Sequence, residues 1–174
     1  MNPKVLSITD TAVMPALLIA LQAATRSAGQ YVTGSCVNAL LALTSILLGL
    51  WSGVVVAALS PFFAFLLGIG PQLLPIVPAI AVGNLVFVVL LWALTRRRSA
   101  PPLRQAAAWL VSAVGKFLAL YLIVVQILCR VLPLKPPQID TFSAMFSWPQ
   151  LVTALIGGGV ALLAAPALRK ALKR

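Results

Sequence analysis

The sequence predicts an all-α protein, an integral membrane bundle of about six transmembrane helices that forms a single domain over residues 1–174. Hydrophobic residues make up 61% of the chain and charged residues only 9%, whereas a soluble domain has about 25% charged residues. The mean hydropathy is +1.07. Such a chain lacks a water-facing surface, and its apolar residues fall into runs whose lengths approach the roughly 20 residues that a helix needs to cross a bilayer.

Six apolar runs are the candidate helices. They cover residues 11–25, 33–48, 51–67, 74–95, 103–132 and 148–168. The first is expected to be a retained helix rather than a cleaved signal peptide, since Asp10 interrupts its basic flank. Glycine and proline separate the others at 49–53, 68–71 and 99–102, and 133–140 is expected to be a proline-rich loop. At the start of the sixth run, Ser147 and Gln150 have the spacing of a capping box.

The basic residues predict the orientation of the chain. An even number of helices places both termini on one side of the membrane, together with the loop after the fourth helix. That side holds nine basic residues and the other side three. The nine are Lys4, Arg96, Arg97, Arg98, Arg104, Arg169, Lys170, Lys173 and Arg174, and the three are Arg26, Arg130 and Lys135. Since cytoplasmic loops are rich in Lys and Arg, both termini are expected to be cytoplasmic. The basic residues behind the net charge of +11 thus flank the membrane helices and do not form one basic face. Nucleic acid is therefore excluded as a partner.

Lys116 lies near the middle of the fifth run, where a charge costs at least about 2.5–3.5 kcal/mol. One interpretation is a ligand site, in which the ammonium pairs with an anionic group of a small molecule. The other is a structural lysine that bonds carbonyl groups or reaches the interface. The only acids are Asp10 and Asp140, near a helix end and in a loop. The absence of an acidic partner inside the membrane favours the ligand.

Four uncharged polar residues also interrupt the apolar runs: Gln22, Asn38, Asn84 and Gln126. Each can bond across helices, which is the common role in membranes, or contact a ligand. The candidate substrate-binding residues are Lys116, Asn84, Asn38 and Gln126. Gln150 is expected to be occupied by its cap.

A polar segment joins the first two helices and contains Arg26, Gln30 and Tyr31. It could form a lid over an outward cavity. The alternative is a solvated turn, which the sequence alone favours.

Alanine recurs at a spacing of four in the first run, at Ala12, Ala16, Ala20 and Ala24. These residues share one stripe of a helix, and small residues allow a second helix to approach closely. The stripe could pack inside the bundle or dock a partner subunit, and the pattern alone does not decide between these roles.

Several motifs of catalysis are missing from the sequence. There is no nucleotide-binding P-loop, no histidine and no CxxC pair, so we expect no ATPase activity of its own, no metal and no cofactor. Paired carboxylates for acid–base chemistry cannot be built from two separated aspartates. Cys36 and Cys129 are either packing residues or a bridge near the outer face. The chain is therefore expected not to be an enzyme.

A family resemblance is carried by stretches along nearly the whole chain. They are 16–22, 33–35 with 37–39, 48–53, 60–61 with 65–68, Pro75 and Pro78 followed by Gly83 and Asn84, 114–118, and 147–158. On these stretches the chain resembles the substrate-binding S components of energy-coupling factor (ECF) transporters, and Trp148-Pro149-Gln150-Leu151 is the most distinctive part.

The resemblance implies a six-helix subunit of an ATP-driven importer in the bacterial plasma membrane. It would capture a vitamin or similar micronutrient from the outer side and work with a transmembrane coupling subunit and two cytoplasmic ATPases. The family's A-x-x-x-A stripe, which docks on the coupling subunit, maps onto Ala16 and Ala20, with Ala12 and Ala24 extending it. The alternative is a structural scaffold of the cell-shape or envelope type, without a ligand and with a filled core.

Overall fold

The computed structural model describes residues 3–96 and 101–171, and all regular structure in these ranges is helical. The elements are α1 (Pro3–Thr25), a 3-10 turn (Arg26–Ala28), α2 (Gly29–Leu48), α3 (Leu50–Leu66), α4 (Ile76–Thr95), α5 (Pro102–Leu120), a π-helical segment (Tyr121–Leu128), α6 (Cys129–Val131), α7 (Pro136–Met145) and α8 (Trp148–Ala171). The all-α prediction is confirmed. Of the basic residues that orient the chain, Arg97, Arg98, Lys173 and Arg174 lie outside the described residues.

Within the described ranges, four helical stretches are long and apolar enough to cross a membrane. They are Thr11–Leu48, Ile76–Thr95, Pro102–Val131 and Pro136–Ala171, and Leu50–Leu66 is a shorter apolar helix. The first stretch has 38 residues, which as one straight helix would be about 57 Å long, nearly twice the hydrocarbon core. It instead turns at Gly29, whose φ of 82° suits glycine. The two helices α1 and α2 then pack against each other.

Helix α2 lies at the centre of the bundle, where it packs against α1, α3, α4 and α8. The contact with α8 is close because Gly157 faces the backbone of α2. A Cβ at this position would lie 2.6 Å from the Ala39 nitrogen and would also overlap the Ser35 carbonyl oxygen. Without a hydrophobic driving force between helices in lipid, such close backbone contact supplies association energy.

Two details of the predicted chain path are wrong. The segment 133–140 is not only a loop, because α7 begins at Pro136. Proline at the first helical position loses no hydrogen bond, and the Gln138 Oε1 accepts from the Lys135 N–H. Helix α7 then ends two residues before Ser147, and its last carbonyl groups need donors.

The capping box is wrong for that reason. The Ser147 Oγ donates to the Ala144 carbonyl at 3.0 Å, and the Gln150 Nε2 donates to the Met145 carbonyl at 3.1 Å. Both side chains thus serve the end of α7 instead of the start of α8. Cys36 and Cys129 are free thiols, so the bridge alternative is excluded.

Candidate functional site

A cavity of about 270 Å³ opens between α1, α2, α3, α4, α5 and the α7–α8 junction. Its walls are mainly apolar, with Pro61, Phe65, Val77, Ile80 and Phe146 among the lining residues. Polar side chains lie at its floor, which is halfway along the helices, and at its mouth, where α1 passes into α2. This is the usual composition of a small-molecule site, an apolar chamber with a few placed polar groups.

Lys116 occupies the floor of the cavity between two amides. Its Nζ donates to the Asn38 Oδ1 at 2.6 Å and to the Asn84 Oδ1 at 2.7 Å. The three side chains are 3%, 1% and 2% exposed, respectively. The structure thus brings three of the four sequence-predicted binding residues to one place, from α5, α2 and α4.

The direction of every hydrogen bond at the floor is determined by two backbone carbonyls, which can only accept. The Ser60 Oγ donates to the Ala57 carbonyl, and the Thr153 Oγ1 donates to the Gln150 carbonyl. Each hydroxyl oxygen therefore accepts from an amide, Ser60 from the Asn84 Nδ2 at 3.1 Å and Thr153 from the Asn38 Nδ2 at 3.3 Å.

It follows that both asparagines turn their amide oxygens toward the lysine. An ammonium has three N–H donors, so one remains after the two amide bonds. The side chain is partly structural, as the alternative interpretation expects, and still has one donor for a ligand.

The positive charge at the floor has no carboxylate partner among the described residues. Asp140 is exposed on α7, and the described residues that line the cavity include no aspartate or glutamate. The Phe87 ring centroid lies 5.8 Å from the Lys116 Nζ, which is within cation–π range. Arg26 adds a second cation at the mouth. Among its described lining residues, the cavity therefore combines two cations with no anion.

The mouth contains two glutamines, Gln30 from the polar segment between the first two predicted helices and Gln150 from the start of α8. The Gln30 Nε2 donates to the Met145 carbonyl at 2.7 Å, and this carbonyl also accepts from Gln150. The two glutamines thus hold α2 and α8 against the end of α7. Gln150 lines the cavity, whereas the sequence analysis considered it occupied by a cap. The pairing depends on where α7 ends, which no local pattern shows.

Gln126 is the predicted binding residue that the structure does not bring to the cavity. It lies in the π-helical segment, where its Nε2 donates to the Tyr121 hydroxyl at 3.0 Å and its Oε1 accepts from Arg130. It is not among the residues that line the cavity. Of the four uncharged polar residues that interrupt the apolar runs, Gln22 lines the cavity instead, and its side chain is 4% exposed.

All four alanines of the α1 stripe, Ala12, Ala16, Ala20 and Ala24, are exposed. None of them lines the cavity. The stripe therefore lies on the exposed surface of the described bundle.

The fold and the cavity together define a multi-pass membrane protein with a chamber of small-molecule size. Residues 7–169 match the family model described as "ECF transporter, substrate-specific component". The chain therefore belongs to this family, whose members are substrate-binding transport subunits and not enzymes themselves. Comparisons with curated proteins and with solved structures returned no match.

Proposed function

We propose that the chain is the substrate-capture subunit of an ECF-type ATP-driven importer in the bacterial plasma membrane. It binds a vitamin or similar micronutrient from the outer side and passes it to a transmembrane coupling subunit. The observation that carries this proposal, beside family membership, is the lysine held by two amides at the floor of a cavity.

The scaffold alternative expects a filled core, and the cavity speaks against it. Placing an ammonium halfway through a membrane helix costs at least about 2.5–3.5 kcal/mol. In a scaffold without a ligand nothing would offset this cost, and an apolar residue at position 116 could pack against Phe87 and the neighbouring helices instead. In a binding subunit, an anionic ligand in the cavity would offset part of the free-energy cost of the buried ammonium.

The ligand that fits this cavity is anionic. A carboxylate or phosphate oxygen that accepts the third N–H of Lys116 would also supply the missing counter-charge. A cationic ligand would meet Lys116 and Arg26 with no acid among the described lining residues to compensate it. The apolar walls require that most of the remaining ligand surface is apolar or aromatic.

The six helices α1, α2, α3, α4, α5 with its π-helical continuation, and α8 are the proposed spans. In this proposed arrangement the cavity mouth lies on the side of Arg26, Arg130 and Lys135, opposite the more basic side. Because the more basic side is cytoplasmic, the mouth opens outward and both termini are inside. A reporter fused to the C-terminus should be active only in the cytoplasm, and activity outside would refute this orientation.

The exposed alanine stripe of α1 is the proposed docking surface for the coupling subunit. Ala16 and Ala20 form its centre, and small exposed side chains let a partner helix approach closely. The sequence has no P-loop, so ATP hydrolysis belongs to two cytoplasmic ATPase partners.

Affinity purification from the native membrane tests the proposed function. The tagged chain should co-purify with a multi-pass subunit and with ATPases that carry P-loops. A tagged membrane protein of the same size from the same cells serves as the control. Recovery of wall-synthesis proteins instead of ATPases would favour the scaffold.

A further inference from the structure

Gln22 has a buried acceptor without a donor. Its side chain is 4% exposed, and its Oε1 is one of two buried side-chain atoms in the described residues that have no hydrogen-bond partner. The other, the Ser35 Oγ, belongs to a residue that does not line the cavity. An unpaired buried acceptor is costly, so natural proteins rarely keep one without a use.

The acceptor lies close to the cavity floor. The Thr33 Oγ1 donates to the Thr25 carbonyl at 2.7 Å, which places Thr25 of α1 beside Thr33 of the antiparallel α2. From that level, Gln22 is three residues deeper along α1 and Asn38 is five residues deeper along α2. With a rise of 1.5 Å per residue, Gln22 lies about 3 Å nearer the mouth than Asn38 along the helix axes. Because Gln22 and Lys116 line the same cavity of about 270 Å³, one ligand head group can contact both side chains.

Lys116 and Gln22 require opposite hydrogen-bond partners from a ligand. Lys116 has a donor left and needs an acceptor, whereas the Gln22 Oε1 needs a donor. A ligand ammonium could donate to Gln22, but it would be repelled by Lys116 and Arg26 without a compensating acid among the described lining residues. The donor that fits is neutral, an N–H or an O–H, and of these only the N–H cannot also accept a hydrogen bond from Lys116.

Resting on the proposed function, we propose that Gln22 is a specificity residue and that the substrate is a small carboxylate with a neutral N–H donor beside it. Lactams and ureides that bear a carboxylate, and N-acylated amino acids, have this pattern. The carboxylate accepts from Lys116, and the N–H donates to the Gln22 Oε1.

The test uses matched pairs of probes that differ in the N–H alone. The N–H members are pyroglutamate, N-carbamoylglycine and N-acetylalanine, and each is compared with its N-methyl derivative. Cyclopentanecarboxylate is the anion without any N–H. Binding to the purified protein is measured at millimolar concentration by the shift in thermal unfolding temperature and by calorimetry.

At least one N–H probe should bind the wild type, with its N-methyl partner weaker by roughly tenfold or more. The variant Gln22→Met should lose this preference and should also unfold at a higher temperature than the wild type without ligand, since the unpaired acceptor is gone. A purely structural glutamine would give a lower unfolding temperature. Gln126→Met is the matched control, because its partners lie outside the cavity, and it should keep the preference.

Equal binding of N–H and N-methyl probes, or no binding of any N–H probe, overturns the inference. An unchanged or lower unfolding temperature of ligand-free Gln22→Met overturns it as well. Binding of cyclopentanecarboxylate in any of these cases leaves the proposed function intact, so the two failures are distinguishable.

Discussion

Replacing Lys116 with methionine removes the charge at the cavity floor and keeps the length of the side chain. The ligand loses a hydrogen bond to a charged group, which contributes about 1.5–3 kcal/mol. Since about 1.4 kcal/mol corresponds to a factor of ten, Lys116→Met should weaken binding by roughly 10–150-fold. Lys116→Arg should also be impaired, because a planar guanidinium does not fit between two amide oxygens that are 2.6 and 2.7 Å from a compact ammonium.

The same substitution has two opposing effects on folding. It leaves the amide oxygens of Asn38 and Asn84 without their donor, at about 1–3 kcal/mol each. It also removes an ammonium whose burial costs at least about 2.5–3.5 kcal/mol. These contributions offset to within about 3.5 kcal/mol, so the variant should fold and its loss of affinity is measurable.

Calorimetry on ligand-depleted protein, titrated with the small molecule that co-purifies with the wild type, measures the change in affinity. Lys170→Met is the matched control, because it makes the same chemical change at an exposed position near the end of α8. The control should bind like the wild type. An unchanged affinity in Lys116→Met would refute the role of the ammonium in binding and, with it, the anionic substrate.

Three further variants, one of them with a control, test other parts of the account. Asn84→Asp places a carboxylate beside the ammonium and should weaken an anionic ligand by roughly tenfold or more, while an unchanged or higher affinity in calorimetry would point to a neutral or cationic ligand. The double change Ala16→Trp with Ala20→Trp should abolish co-purification of the coupling subunit but keep ligand binding, whereas the control Leu163→Trp, at an exposed site on α8, should keep both. A complex that survives the double change would exclude this docking surface. Gly157→Ala pushes α8 from the backbone of α2 and should cost about 1–3 kcal/mol of stability, so an unfolding temperature equal to that of the wild type would show that the two helices are not in such close contact.

The helical fold was largely predictable, because apolar runs in a chain with few charges leave few alternatives to membrane helices. The 133–140 segment shows the limit of this reasoning. Its prolines read as helix breakers, yet proline is tolerated in a first helical turn. Where α7 ends also decided the roles of Ser147 and Gln150, and that end depends on packing rather than on local sequence.

The floor of the cavity was predictable for an energetic reason. A charge and two amides within apolar runs are expensive in a membrane, so Lys116, Asn38 and Asn84 stood out from the sequence. The choice between Gln22 and Gln126 was not accessible in the same way. Each is a single glutamine in an apolar helix, and which of them faces the cavity depends on the rotation of its helix in the bundle.

Native mass spectrometry of the wild-type protein, purified without added ligand, tests the central claim most directly. The account predicts a bound small molecule that carries an acidic group, that fits a cavity of about 270 Å³, and that is lost from Lys116→Met purified in parallel. A spectrum of the wild type that shows only bare protein or bound lipid would contradict the claim that this chain captures a substrate.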